Sequence, residues 1–316
     1  MTSPFRSIVV VGAGAVGGFF GAMLTRAGHP VTLIARQAHA QAIQRDGLRL
    51  QMAGKVEAIR LPAGTDIGAV RGADLVLFSV KSTNTETVAR DIAPHLSDDA
   101  LVLSLQNGVE NAATIARRVH QAVVPAVVYV ATAMPEPGLV AHHGRGDLVI
   151  GAIDAEAAQD AALARRLQAL VDLFATAHVP VRISADVMAE LWSKLMVNCA
   201  FNAISGIAQA SYGKLAALGE VLELQETVVR EVCALAEAEG VNLPLAPALE
   251  STRKIAGAMP AQLSSTAQDM ARGKPSEIDH LNGFVARRGA ALGVATPANQ
   301  ALYALVRLIE STRGRG

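Results

Sequence analysis

The chain predicts an α/β protein: a doubly wound, largely parallel sheet over residues 1–183, followed directly by an all-helical domain over residues 184–316. Three observations predict it. Short β-branched runs alternate with helical stretches up to about Ile183, a glycine-rich turn separates the first run from the first helix, and strand signals almost vanish after Asp186. Such alternation is the pattern of parallel strands joined by crossover helices.

In order, IVVVG (8–12) reads as a strand, AVGGFFGAMLTRAG (15–28) as a helix and HPVTLIAR (29–36) as the next strand. ADLVLFSVKS (73–82), a helix through TETVARDIAPHL (85–96) and the strand ALVLSLQNG (100–108) repeat the unit. GLRLQM (47–52) with VEAIRL (56–61), and GLVAHH (138–143) with DLVIG (147–151), read as hairpin additions; VPVRIS (179–184) ends the alternation. Helical periodicity then fills 187–210, 220–240, 247–259, 261–273, 277–293 and 298–312, with no repeat or low-complexity linker.

Composition narrows the function. At 316 residues, with 51 % apolar and 18 % charged side chains, the chain is too apolar to be disordered and too long for one core, so two domains are expected. A cut near residue 183 leaves 16 Lys/Arg against 15 Asp/Glu before it and 12 against 13 after it, net charges of +1 and −1. Neither half has the basic excess of a nucleic-acid surface. Cys199 and Cys233 form no C-x-x-C, and the eight histidines show no ligand-like pairing beyond the adjacent His142 and His143, so neither a disulfide scaffold nor a metal is expected. From Ser7 to Thr25 no residue is charged, which imitates a signal or membrane segment. Gly12, Gly14, Gly17, Gly18 and Gly21 would each weaken an isolated helix by about 1 kcal/mol, so the segment reads instead as strand, turn and helix of a cytoplasmic protein with reduced cysteines.

Gly12-Ala13-Gly14-Ala15-Val16-Gly17 is a G-x-G-x-x-G placed after a strand and opening a helix. The first glycine permits a tight turn, the second lets the backbone approach a pyrophosphate, the third allows close helix–strand packing, and the helix N-terminus faces the anion. With a second strand in register, the motif predicts a Rossmann-type dinucleotide site. Where an NAD site offers Asp or Glu at the end of that second strand, this chain has Arg36, a cation suited to a 2′-phosphate, so NADP is the expected cofactor. Arg36 also reads as an exposed arginine closing a strand.

Lys81 and Asn107 end the two later strands, the end at which ligands bind in open α/β sheets. Asn107-Gly108 is equally a plain turn. Lys194, Asn198 and Asn202 recur every four residues and form one polar stripe on an otherwise apolar helix. The stripe reads either as a solvated face or as the lining of a cavity in which desolvation would lower the lysine's pKa and ready it to donate a proton. Glu277 follows Pro275 and would fall in the first turn of a helix, where the dipole favours an acid without any catalytic purpose. Ser265 reads as a helix cap or as an exposed serine.

Taken together and in this order, VVGAGAVGG, SVKS, LQNG, ELWSKLMVNCAFN and SEIDHLNGF resemble the ketopantoate reductase family, over about Ile8 to Glu310. The resemblance implies a Rossmann domain with a helical C-terminal domain and reduction of 2-dehydropantoate to (R)-pantoate with NADPH, on the route to pantothenate and coenzyme A. It implies Lys194 as the acid at the carbonyl oxygen and Glu277 as its partner or as a contact of the substrate hydroxyl. Asn198, Asn202 and Ser265 become substrate contacts, Lys81 and Asn107 sit at the cofactor–substrate junction, and Arg36 holds the 2′-phosphate. Asn84 stands where many members carry Gln. The expected partner is a small 2-oxo acid, and a homodimer is an assembly the chain could form; neither nucleic acid nor membrane is expected. Alternatives are a paralogous NADP-dependent reductase of another 2-oxo acid, a 3-hydroxy acid dehydrogenase, or a non-catalytic dinucleotide sensor, which would have no need of the Lys194 stripe.

Overall fold

A computed structural model describes residues 4–313, and the chain divides into two compact units, Met1–Val187 and Met188–Gly316. The first contains β1 (Ile8–Val11), α1 (Ala15–Arg26), β2 (Val31–Ile34), α2 (Gln37–Asp46), β3 (Leu48–Met52), β4 (Lys55–Ile59) and β5 (Ala63–Gly64). It continues through β6 (Leu75–Phe78), α3 (Thr85–Ile92), β7 (Leu101–Ser104), α4 (Asn111–Ala116), β8 (Ala122–Glu136), β9 (Leu139–Ile150), α5 (Ala161–Thr176) and β10 (Val181–Ile183). The strands form one sheet in the order β4-β3-β9-β8-β7-β6-β1-β2-β5, with β10 also paired to β9.

β8, β7, β6, β1, β2 and β5 pair in parallel, and their crossovers bury both faces. That is why β1, β6 and β7 read as unbroken apolar runs. Ile8, Val10, Leu77 and Leu103 pack on one face with Phe20 and Leu24 of α1, while Val9, Val11, Phe78 and Val102 pack on the other with Ala89 and Ile92 of α3. The uncharged glycine segment is thus a strand, a turn and α1, and among the described residues no helix is long and apolar enough to cross a membrane.

The hairpin of β3 with β4 is present, but the one expected between 138–143 and 147–151 is not. Those residues form the single strand β9, antiparallel to β8, which the sequence reading did not include. Gly144 and Gly146, which lie between those two runs, instead flank a bulge at which Arg145 takes φ 55°. Arg145 is held there by its ion pair with Asp147 (2.6 Å) and by its guanidinium lying 4.2 Å from the centre of the Tyr129 ring. The true turn is at Gly138 (φ 79°).

The second unit holds most of α6 (Val187–Ala208), then α7 (Tyr212–Leu215), α8 (Gly219–Ala238), α9 (Leu245–Ala258), α10 (Ser265–Ala271), α11 (Asn282–Leu292) and α12 (Pro297–Arg313). A buried polar chain ties four of these helices together. The Glu231 carboxylate on α8 accepts the backbone N–H groups of Ala298 (2.8 Å) and Asn299 (2.9 Å), capping α12 where its dipole favours negative charge, and also accepts Asn299 Nδ2 (2.8 Å). Asn282 Nδ2 on α11 donates to Asn299 Oδ1 (2.9 Å) and to the Cys199 carbonyl on α6 (3.1 Å). Both cysteines are free and buried, and burial pushes the Cys233 thiol up to about 11.

His39 on α2 is buried, and its Nδ1 accepts the Gly138 N–H (2.8 Å), so the neutral ring carries its proton on Nε2. Burial holds this histidine below its ordinary value, with the Ala13 carbonyl pulling the other way. The unfolded chain, titrating near about 6.5, therefore binds more protons than the native one as pH falls below that value, and stability drops with it. His39→Asn, which keeps an acceptor for Gly138, is expected to flatten the dependence of Tm on pH between about 7 and 5. An unchanged slope would remove His39 as its source.

Candidate active site

The parallel register sets the geometry of the first unit. Val11 lies opposite both Ile34 and Phe78, and Phe78 opposite Ser104, so β2, β1, β6 and β7 finish level with one another. Their following residues (Arg36, Gly12, Lys81 and Asn107) therefore emerge along one sheet edge. The chain places β2 on one side of β1 and β6 on the other, which makes this edge the topological switch point where doubly wound folds bind ligands.

Gly12 has φ 89°, and a Cβ there would sit 2.6 Å from the Val80 backbone nitrogen, so the loop after β6 packs onto the turn only because the side chain is absent. A Cβ on Gly17 would collide with Ser79 Oγ and lie 2.8 Å from the Gly12 carbonyl, which itself accepts the Ser79 hydroxyl (2.9 Å). Gly14 differs. It is the N-cap of α1, and a Cβ there would meet nothing closer than the Gly12 oxygen at 4.0 Å, so the backbone faces open space just ahead of the first-turn N–H groups. Arg36 is exposed and precedes α2 as its N-cap.

Lys81 is exposed and lies three residues beyond β6, and Asn107 is half-buried three residues beyond β7, so the two occupy equivalent positions. The chain bends at Asn107-Gly108, with Gly108 at φ 90°, and the Asn107 carbonyl is bonded to Asn111 Nδ2 (2.6 Å). Asn84 is exposed; its N–H donates to the Lys81 carbonyl (2.8 Å) just before α3. A concavity of about 560 Å³ among β9, α5 and β10, lined by Asp147, Val171, His178 and Arg182, includes none of the predicted residues.

In the second unit, α6 carries Lys194 and Asn198 half-buried and Asn202 buried, on one line. Glu190, also half-buried, extends that line one turn earlier, a residue the sequence reading passed over although its four-residue spacing was visible. Asn202 Oδ1 accepts the Tyr212 hydroxyl (3.3 Å), which leaves its amide N–H groups as the donors it can offer. Burial pushes Tyr212 up to about 12, so that hydroxyl keeps its proton.

Ser265 is exposed as the first residue of α10, and the cap is Ser264. The buried Ser264 hydroxyl accepts the Ala267 N–H (3.0 Å) and donates to the Asn202 carbonyl (3.2 Å), tying α10 to the polar stripe. With two adjacent serines, sequence could not say which one opened the helix. Glu277 is not in the first turn of an α-helix: it precedes a single 3-10 turn (Ile278–His280), its carboxylate caps no N–H there, and α11 starts only at Asn282. The dipole argument for an acid at this position therefore weakens.

Strand ends at a switch point, a glycine turn and a helical unit with a lysine–asparagine stripe are the architecture of a Rossmann-class oxidoreductase. Residues 8–155 match the ketopantoate reductase PanE/ApbA family and residues 186–310 its C-terminal counterpart. The chain belongs to the ketopantoate reductase family. It is 33 % identical over 306 residues to the 2-dehydropantoate 2-reductase of Halobacterium salinarum, covering 96 % of this chain and 98 % of that one. A crystal structure of a PanE/ApbA family ketopantoate reductase from Ralstonia eutropha JMP134 is 51 % identical, with a TM-score of 0.90 over 98 % of this chain and 100 % of that one. A ternary structure of D-mandelate dehydrogenase with NADH and anilino(oxo)acetate is 25 % identical, also at TM-score 0.90, over 98 % and 99 % of the two chains.

Removing the Ser264 hydroxyl strips a cap and an inter-element bond, so Ser264→Ala is expected to destabilise the protein by about 1–2 kcal/mol, whereas Ser265→Ala stays within about 0.5 kcal/mol. Denaturant unfolding of the two variants checks this, and equal losses would contradict the assignment of the cap.

Proposed function

We propose that this protein reduces 2-dehydropantoate to (R)-pantoate with NADPH, in the cytoplasm, with residues 1–183 holding the dinucleotide and residues 184–316 supplying the catalytic and substrate residues. The observation that carries the reading is the Lys194–Asn198–Asn202 line on α6, in a chain whose curated relatives include 2-dehydropantoate 2-reductases. A proton donor followed by amide donors suits a keto acid that also bears a hydroxyl.

The turn Gly12, Ala13, Gly14, Ala15, Val16 and Gly17 suits a pyrophosphate, because the Gly14 backbone is open to approach and the first-turn N–H groups follow it. Arg36 holds the 2′-phosphate, and Lys81 and Asn107 contact the junction of cofactor and substrate. When bound, the reduced nicotinamide supplies the hydride that reaches the keto carbon. As negative charge grows on the keto oxygen, Lys194 gives it a proton from Nζ, and the product leaves with a neutral hydroxyl. Asn198, Asn202 and Ser265 donate to the substrate's oxygens, and Glu277 accepts from its hydroxymethyl group or orients Lys194. The assembly is proposed to be a homodimer.

A second reading is a reductase of another 2-oxo acid. The D-mandelate dehydrogenase structure favours it, since its fold matches as well as that of the Ralstonia eutropha ketopantoate reductase. The number of polar groups argues for the first reading, because an oxo acid with an apolar tail leaves those beyond its keto and carboxylate oxygens unpaired.

Lys194→Ala should lower kcat for 2-dehydropantoate by about 10²- to 10⁴-fold while NADPH still binds; near-normal turnover would sink the assignment. Arg36→Ala should raise the KM for NADPH by about 10- to 100-fold and leave that for NADH almost unchanged, since a charge-assisted phosphate bond contributes about 1.5–3 kcal/mol. Equal effects on both cofactors would take Arg36 out of the site.

A further inference from the structure

The loops that carry Lys81 and Asn107 are bound to each other by a buried relay of side chains with one direction throughout. Ser104 Oγ donates to Gln106 Oε1 (3.2 Å), and Gln106 Nε2 donates to the Val80 carbonyl (2.9 Å) and to Thr85 Oγ1 (2.7 Å). The Thr85 hydroxyl donates to Asn111 Oδ1 (2.8 Å), and Asn111 Nδ2 donates to the Asn107 carbonyl (2.6 Å) and to Ser82 Oγ (3.1 Å). Ser82, Thr85, Ser104, Gln106 and Asn111 are each at most 6 % exposed.

The relay's two ends are informative. One is the carbonyl directly before Lys81, the other the carbonyl of Asn107 itself. The last backbone bond between the two strand ends is Leu105 N to the Phe78 carbonyl (2.8 Å), and beyond it these side chains join the loops. A buried network with every hydrogen placed has a single low-energy arrangement, so it fixes separation and orientation as well as contact. Thr85 is its pivot, since its one hydroxyl both accepts and donates.

We infer that Thr85, Gln106 and Asn111 are positioning residues that set Lys81 and Asn107 at a fixed spacing for the reduction proposed above, acting through those two residues and touching neither substrate nor cofactor. The inference rests on the reading of Lys81 and Asn107 as contacts of the reacting molecules. Misplacement of such contacts by about 1 Å costs on the order of 10²-fold in rate.

The test compares Thr85→Val, which keeps the shape and loses the hydroxyl, with Thr85→Ser, which keeps the hydroxyl, beside Asn111→Ala, Lys81→Ala and the Lys81→Ala/Asn111→Ala double variant of the full chain. kcat/KM for 2-dehydropantoate and NADPH binding by fluorescence titration are measured on protein with a native circular dichroism spectrum. Thr85→Val and Asn111→Ala are expected to lose about 10- to 100-fold in kcat/KM, Thr85→Ser to stay near wild type, and the double variant to lose clearly less than the product of the two single losses, because the part of the Asn111 effect that runs through Lys81 is already gone while the part that runs through Asn107 remains. Wild-type activity in Thr85→Val or Asn111→Ala, or losses in the double variant that multiply in full, would overturn the inference while leaving the function standing. Unchanged activity in Lys81→Ala would overturn it together with the reading it rests on. If Thr85→Val does not fold, Asn111→Ala and its double variant decide the question unaided.

Discussion

The level finish of four parallel strands is the constraint on which the first unit depends. Because Ile34, Val11, Phe78 and Ser104 stand in one row of the sheet, the turn after each strand opens at the same height. A slip of one residue in any pairing would turn that strand's apolar residues to the opposite face and carry its loop out of line. The apolar layers on both faces make such a slip costly, since Val10, Leu77 and Leu103 belong to one layer and Val11, Phe78 and Val102 to the other. Core packing thus sets the positions of Gly12, Lys81 and Asn107, residues that themselves contribute little to the core.

Polar atoms buried in each unit do the finer setting. Removing one partner from a buried hydrogen bond costs about 1–3 kcal/mol, so a buried network resists rearrangement more strongly than its net contribution to stability suggests. In the first unit the relay through Thr85 joins two loops; in the second, Glu231, Asn299 and Asn282 run from α8 through α12 and α11 to the Cys199 carbonyl, beside Asn198 on α6. Ser264 and Tyr212 hold the neighbouring Asn202. Burial, with the negative charge of Glu231 adding to it, pushes the Cys199 thiol far up, which leaves that sulfur inert next to the polar line.

Much of this was legible in the sequence for physical reasons. The βαβ alternation, the glycine turn and the four-residue spacing on α6 are periodic or local signals, and each was visible. β9 was misread because Gly144 and Gly146 signal a turn locally, while pairing with β8 and the Arg145–Asp147 contact absorb them as a bulge. Such tertiary overrides leave no trace in a window of ten residues. The cap falls on Ser264, one residue before Ser265, at the start of a helix, where sequence resolves least. Gln106, Thr85 and Asn111 were invisible as a group, because their only relation is spatial and single polar residues near strand ends are unremarkable.

On the proposed function, the polar line on α6 serves a 2-oxo acid bearing a hydroxyl. This is tested most directly by the specificity constants for 2-dehydropantoate and for 3,3-dimethyl-2-oxobutanoate, which has a methyl in place of the hydroxymethyl, at saturating NADPH. A site built to bond the hydroxyl should favour 2-dehydropantoate by up to about 10⁴-fold, because the analogue leaves buried donors and acceptors unpaired. An equal or higher specificity constant for the analogue would rule out a hydroxyl-binding role for that line and make the protein a reductase of another 2-oxo acid.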